Sequence, residues 1–139
     1  MTNKMAGISV IIPCLNEESS IAQTISGLSE VLPSLGVKYE IIVVNDASKD
    51  NTPKLLAKFE NIAVLTNDSV TGYGGSIKRG LLRSNHEMVL IIDADGTYPC
   101  KSIPKLFSAA IENDYDMVVG ARTKMNNGFL ELGELQNIF

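Results

Sequence analysis

The chain has 139 residues, enough for one domain with a sizeable core, and its 45% apolar and 20% charged residues describe a globular protein rather than a disordered or fibrous one. A formal charge of −4 with no basic cluster, and the absence of Trp, argue against a nucleic-acid-binding surface. The apolar runs fall far short of the ~20 residues of a membrane span, the N-terminus lacks a signal-peptide pattern, and the expected compartment is the cytoplasm.

Short apolar runs alternate with segments of helical period. Residues 7–13, GISVIIP, read as a first strand. Ser20 and Gln23 have capping-box spacing for a following helix, whose apolar stripe is Ile21, Ile25, Leu28, Val31 and Leu32. A second strand is expected over 39–46 (YEIIVVND), then a helix over 52–60 with Thr52 as its cap before Pro53. The third strand, 61–66 (NIAVLT), leads to a helix over 74–84 that places Ile77, Leu81 and Leu82 on one face. A fourth strand covers 87–93 (EMVLIID), a helix opening on Ser102 covers 102–113, and 115–121 (YDMVVGA) reads as a fifth strand. Continuous Val/Ile/Leu runs mark strands covered on both faces, so the sum is an open α/β sheet with parallel strands and right-handed crossovers. After Arg122 the pattern fades.

In such sheets ligands collect beyond the carboxyl ends of the strands. There the chain carries PCLNEE (13–18), NDASKD (45–50), TNDSVTGYGG (66–75) and DADGTYP (93–99), so acid- and glycine-rich loops share one edge. Asp93 and Asp95, joined by a turn at Ala94, are hard oxygen ligands of the kind that hold Mg²⁺ or Mn²⁺ against a diphosphate. Asp46 ends its strand where a carboxylate can accept hydrogen bonds from a base or ribose, while Asp50 and Asn51 read as turn and cap residues. The glycine-rich loop can turn backbone N–H groups toward phosphate oxygens. It fits neither dinucleotide fingerprint, since Ile77 stands where a glycine is needed, nor a P-loop, since Leu81 follows Gly80. His86 falls at the opposite end as a solvated loop residue, and no serine has a nucleophile-elbow setting. Cys14 and Cys100 lack metal-ligand spacing and are expected as free thiols.

Five segments, VIIPCLNEESSI, EIIVVNDASKDNT, GYGGSIKRGL, VLIIDADGTYP and DMVVGAR, occur in an order that resembles the family-2 glycosyltransferases. The similarity is greatest to the branch of dolichol-phosphate mannose synthase and bacterial polyprenyl-phosphate sugar transferases, and it runs from about Ile8 to Arg122. It implies a Rossmann-like GT-A fold, a mostly parallel sheet with helices on both faces. It also implies a donor-binding domain over residues 1–122 and an incomplete acceptor-side region over 123–139.

By the same resemblance the chain is the donor domain of an inverting enzyme that uses a nucleoside-diphosphate sugar. Pro13, Leu15, Asn16 and Glu17 match the first-loop motif of the nucleotide pocket, and Asp46 matches the acid that contacts the base. Lys78 falls near a basic position, Asp93, Ala94 and Asp95 match the DxD motif, and Arg122 matches a position near the donor. Asp93 and Asp95 are the implied catalytic acids and ligands of Mg²⁺ or Mn²⁺. The implied acceptor is a lipid phosphate at the membrane surface, the inner face for full-length relatives. Asn45 departs from the acid of many relatives, and Cys100 from a common proline. Relatives continue with an acceptor-binding half, so the chain is expected to be C-terminally truncated and could self-associate through apolar surface exposed in that way. Two other readings stand beside this one: a non-catalytic nucleotide-sugar-binding module or inactive fragment, and a nucleotidyltransferase. The latter usually carries a basic glycine-rich loop after strand one, where this chain has the acidic PCLNEE.

Overall fold

Strands β1 (Gly7–Cys14), β2 (Lys38–Asn45), β3 (Ala63–Thr66) and β4 (Met88–Ile91) form a parallel sheet in the order β3-β2-β1-β4. The computed structural model describes residues 6–124 and 130–132, with only the backbone described from 122 onward. Helices α1 (Ile21–Val31), α2 (Thr52–Leu56) and α3 (Tyr73–Arg83) connect successive strands. These elements all lie in one compact unit, Met1–Cys100; a second unit, Lys101–Phe139, holds α4 (Ile103–Glu112) and the antiparallel pair β5 (Arg122–Lys124) and β6 (Leu130–Leu132). No described helix is long and apolar enough to cross a membrane.

The continuous apolar runs explain the centre of the sheet. β1 is buried along its whole length, and Ile41 to Asn45 of β2 are buried beside it. Ile21, Ile25 and Leu28 of α1, with Leu32 just after it, are fully inaccessible; burial of each such side chain stabilises the fold by about 1.5–3 kcal/mol. β3 is an edge strand, alternating half-buried and exposed, and starts later than the apolar run suggests.

Several local expectations change. Ser20 precedes α1, but no capping box forms, because its Oγ instead donates to the Ala94 carbonyl (2.8 Å). α2 ends at Leu56 and takes Asn51 as its cap; Thr52 is already helical and its hydroxyl accepts the Glu17 N–H. α3 does not dock through Ile77, Leu81 and Leu82. Its buried residues are Ser76 and Gly80, while Leu82 is 82% exposed. A Cβ at Gly80 would stand 2.5 Å from Ile11 Cγ2, so the helix lies too close to the sheet for a larger face.

Residues 115–121 form no fifth strand, only an isolated bridge at Val119. Met117 and Val119 are exposed there, so the run lacks the two-sided cover that selects a buried strand. His86 lies in the loop before β4, as expected, but is half-buried: its ring packs on Gly7, where a Cβ would approach it to 2.5 Å. The His86 backbone N–H donates to Ser9 Oγ (3.2 Å), which donates to Glu40 (2.6 Å). Glu40 also accepts from the backbone and side chain of Asn85 (2.6 and 2.8 Å), closing the amino end of the sheet.

Candidate donor site

The strand order creates a crevice. From β1 the chain steps outward to β2 and β3, then returns to place β4 on the other side of β1, and ligands bind at such a switch point. Ile11 accepts from the Ile92 N–H (3.1 Å) on the β4 side, whereas Cys14 accepts from Asp46 on the β2 side (2.8 Å). By alternation Pro13 faces β4, where it has no N–H to offer. The β1–β4 ladder therefore stops, and the loops beyond it part.

A cavity of about 290 Å³ fills this gap. Pro13, Cys14, Leu15 and Glu17 line it from the first loop, and Asp46 from the end of β2. Gly72, Tyr73 and Ser76 contribute from the start of α3, and Asp93, Ala94 and Asp95 from the turn after β4. The lining holds four carboxylates and no Lys, Arg or His.

The first two loops are laced together. Asn16, in the left-handed region (φ 52°) that Asn tolerates, donates its N–H to Ser48 Oγ (2.9 Å) and accepts from the Lys49 N–H at Oδ1 (2.8 Å). The Glu17 N–H reaches Thr52 Oγ1 (3.0 Å) and the Glu18 N–H reaches Asp50 (3.2 Å), while Glu18 accepts from the Asn51 N–H (3.0 Å). Asn45 Oδ1 accepts from the Ser48 N–H (3.1 Å). Asn16 thus braces the loop behind the cavity, and Glu17 stands at its wall.

Asp46 organises the third loop. Its Oδ1 accepts from Asn67 Nδ2 (2.7 Å), the Thr71 N–H (2.8 Å) and Thr71 Oγ1 (3.0 Å), and its Oδ2 from the Gly72 N–H (2.8 Å). Burial pushes its carboxyl up, but the hydrogen bonds from Asn67, Thr71 and Gly72 outweigh it and hold the group below the ordinary value of 3.8. Arg79 buttresses the same loop through the Thr66 carbonyl (2.7 Å) and Asn67 Oδ1.

The DxD turn is held from two sides. The Ala94 carbonyl accepts from Ser20 Oγ (2.8 Å) and Thr24 Oγ1 (3.4 Å) of the α1 start, which fixes where the flanking acids emerge. Asp93 Oδ1 accepts from the Tyr73 hydroxyl (2.9 Å), and Asp95 Oδ1 from the N–H and hydroxyl of Thr97 (2.9 and 2.7 Å). Gly96 turns the chain at φ 76°. No described group of three or more His, Cys, Asp or Glu residues could hold a metal. Two carboxylates fit an ion that keeps waters and completes its shell with substrate phosphates, as Mg²⁺ does. Cys14 and Cys100 are free; burial, with Glu17 and Asp50 nearby, pushes the Cys14 thiol up to about 12 and leaves it unreactive.

Of the residues expected at the site, Pro13, Leu15, Glu17, Asp46, Asp93, Ala94 and Asp95 meet in this cavity. Lys78 is exposed on α3 and does not line it. Only the backbone of Arg122, in β5 of the second unit, is described. Sequence reasoning missed Cys14, Gly72, Tyr73 and Ser76 as lining residues; the signal for Gly72 and Ser76 was the small residues at 72, 76 and 80, spaced by helical turns along one face.

A parallel sheet whose strand order reverses beside an acidic crevice is an open, Rossmann-like α/β architecture, with the crevice where such sheets bind ligands. The chain matches glycosyl transferase family 2 over residues 9–138, and it belongs to that family. It is 35% identical over 127 residues to the undecaprenyl-phosphate 4-deoxy-4-formamido-L-arabinose transferase of Proteus mirabilis, covering 87% of this chain and 38% of that protein. Its structure is similar to that of S. aureus TarS 1–349 in complex with UDP-GlcNAc, with a TM-score of 0.72 and 25% identity over 88% of this chain and 36% of TarS. It is also similar to the glucosyl-3-phosphoglycerate synthase of Mycobacterium tuberculosis in complex with Mn²⁺, UDP and phosphoglyceric acid. There the TM-score is 0.63 and the identity 26%, over 76% of this chain and 39% of that one. The chain therefore spans well under half the length of these relatives. The family assignment confirms the Rossmann-like GT-A fold and displaces the nucleotidyltransferase alternative.

Proposed function

We propose that this chain is the donor-binding part of an inverting glycosyltransferase, taking a nucleoside-diphosphate sugar into the crevice together with Mg²⁺ or Mn²⁺. The observation that carries this reading is the charge of the cavity. Four carboxylates with no basic side chain among them would repel a diphosphate, unless a divalent cation stood between. Asp93 and Asp95 are the residues that would hold it. When bound, such an ion neutralises the charge that develops on the departing diphosphate.

The chain's own groups do the rest. Pro13, Leu15 and Glu17 form the wall against the nucleoside, held by the braces from Asn16 and Thr52. Asp46 keeps the third loop in place beside it. The acceptor we infer is a polyprenyl phosphate, the class named for the Proteus mirabilis relative. A lipid phosphate brings its own anionic nucleophile, so inversion by single displacement requires no dedicated base from this chain.

Titration of the chain with UDP, GDP and their sugars, with and without Mn²⁺, tests the proposal. Metal-dependent binding of one of them is expected. Metal-independent binding would mean that Asp93 and Asp95 do not hold a cation against the diphosphate, and no binding at all would overturn the donor reading.

A further inference from the structure

α3 meets the sheet through residues without bulk. Gly80 lies against Ile11, and Ser76, one turn earlier on the same face, comes to lie where β1 ends and the cavity begins. Ser76 is 1% exposed, and its Oγ is the buried side-chain polar atom left without a hydrogen-bond partner among the described residues. Buried hydroxyls are ordinarily paired. In this unit the buried hydroxyls of Ser9, Thr24 and Thr52 all are.

The surrounding backbone is also short of acceptors. The Gly72 N–H is taken by Asp46, and the Ser76 N–H by the Gly72 carbonyl. The N–H groups of Tyr73, Gly74 and Gly75 form the first turn of α3, where no intrahelical acceptor exists. A helix start with an orphaned hydroxyl at its inner side is suited to an anionic oxygen. The Tyr73 hydroxyl reaches Asp93 from this turn, which sets it beside the acids assigned to the diphosphate end of the donor.

We propose that Ser76 is a donor-binding residue whose hydroxyl donates a hydrogen bond to a diphosphate oxygen, making the start of α3 part of the site. This rests on the donor-binding reading above. In an apolar-lined setting the same position would need only a small residue; the hydroxyl adds recognition.

The test compares the wild-type chain with Ser76→Ala in calorimetric titrations with UDP and GDP in Mn²⁺, and with the nucleoside of whichever binds. Thermal melts without ligand accompany them. Ser76→Ala is expected to weaken nucleoside-diphosphate binding about tenfold, as for loss of a hydrogen bond to a charged group, and to leave nucleoside binding unchanged. Its melting temperature should stay the same or rise, because an unpaired buried hydroxyl is removed. Unchanged diphosphate affinity, equal loss on the nucleoside, or a lowered melting temperature that accounts for the weaker binding would each overturn the assignment. Failure of the wild-type chain to bind either diphosphate would instead overturn the donor reading, and this inference with it.

Discussion

The Tyr73 hydroxyl donates to Asp93 Oδ1 across 2.9 Å, fastening the first residue of α3 to the first acid of the DxD turn. Burial, then the hydrogen bond and charge of Asp93, push the phenol up to about 12, so it remains a neutral donor at any physiological pH. That bond occupies a carboxylate oxygen that a cation would otherwise use. Tyr73→Phe is therefore expected to tighten Mn²⁺ binding about threefold, the equivalent of a hydrogen bond worth ~0.7 kcal/mol. Stability should fall by less than ~1 kcal/mol, since the side chain is 57% exposed. A Mn²⁺ titration followed by electron paramagnetic resonance reads the first quantity; weaker binding in the variant would assign Tyr73 to support of the site instead.

Asp46 joins β2 to the loop that precedes α3, and its removal would strand donors from Asn67, Thr71 and Gly72. Asp46→Ala should cost about 3 kcal/mol, measured by urea unfolding. The folded-state carboxyl lies below the ordinary 3.8, so its contribution is fully present above that value. It is lost as the pH falls from there through the lower folded value. Asp46→Asn should flatten that stretch of the stability profile, and an unchanged acid limb in the variant would show that other carboxylates govern it.

Two substitutions of the second acid of the DxD turn are expected to differ in what they cost. Asp95 also accepts from the N–H and hydroxyl of Thr97, so Asp95→Ala loosens the turn as well as the ion site. Asp95→Asn can keep an acceptor for Thr97 while losing the charge. Both should reduce Mn²⁺-dependent donor binding more than tenfold, a loss of more than ~1.4 kcal/mol. Only Asp95→Ala should also lower the melting temperature. Retained Mn²⁺ dependence in Asp95→Asn would move the ion away from Asp95.

Much of this arrangement is visible in the residues themselves. The buried strands β1 and β2 are continuous apolar runs that end on polar loops at the crevice, whereas the equally apolar β4 is only half-buried, with Ile91 exposed. What stays hidden depends on contacts made far along the chain. Ser20 and Gln23 have capping spacing, yet Ser20 is drawn to a carbonyl 74 residues away. Met117 and Val119 read as a strand because their neighbours are apolar, yet both side chains are exposed. Periodicity points α3 inward through its leucines, because it weighs large apolar side chains. Close packing of a helix on a sheet instead selects the residues that are small.

Gly80 puts that last point to a quantitative test. In isolation Gly80→Ala favours the helix by ~1 kcal/mol. Here the new Cβ would meet Ile11 Cγ2 at 2.5 Å and its Cγ1 and Cδ1 at 3.3 Å, in a strand with no room to yield. Overpacking of this kind costs about 1–3 kcal/mol, so net destabilisation is expected by urea unfolding. Ile11→Ala alone should cost ~2–5 kcal/mol by opening a cavity in the core. In that background Gly80→Ala should become neutral or stabilising, a coupling of at least ~1 kcal/mol between the two positions. Additive effects would mean that α3 can shift away from β1 without strain, and that the close approach at Gly80 is not what seats Ser76 at the cavity wall.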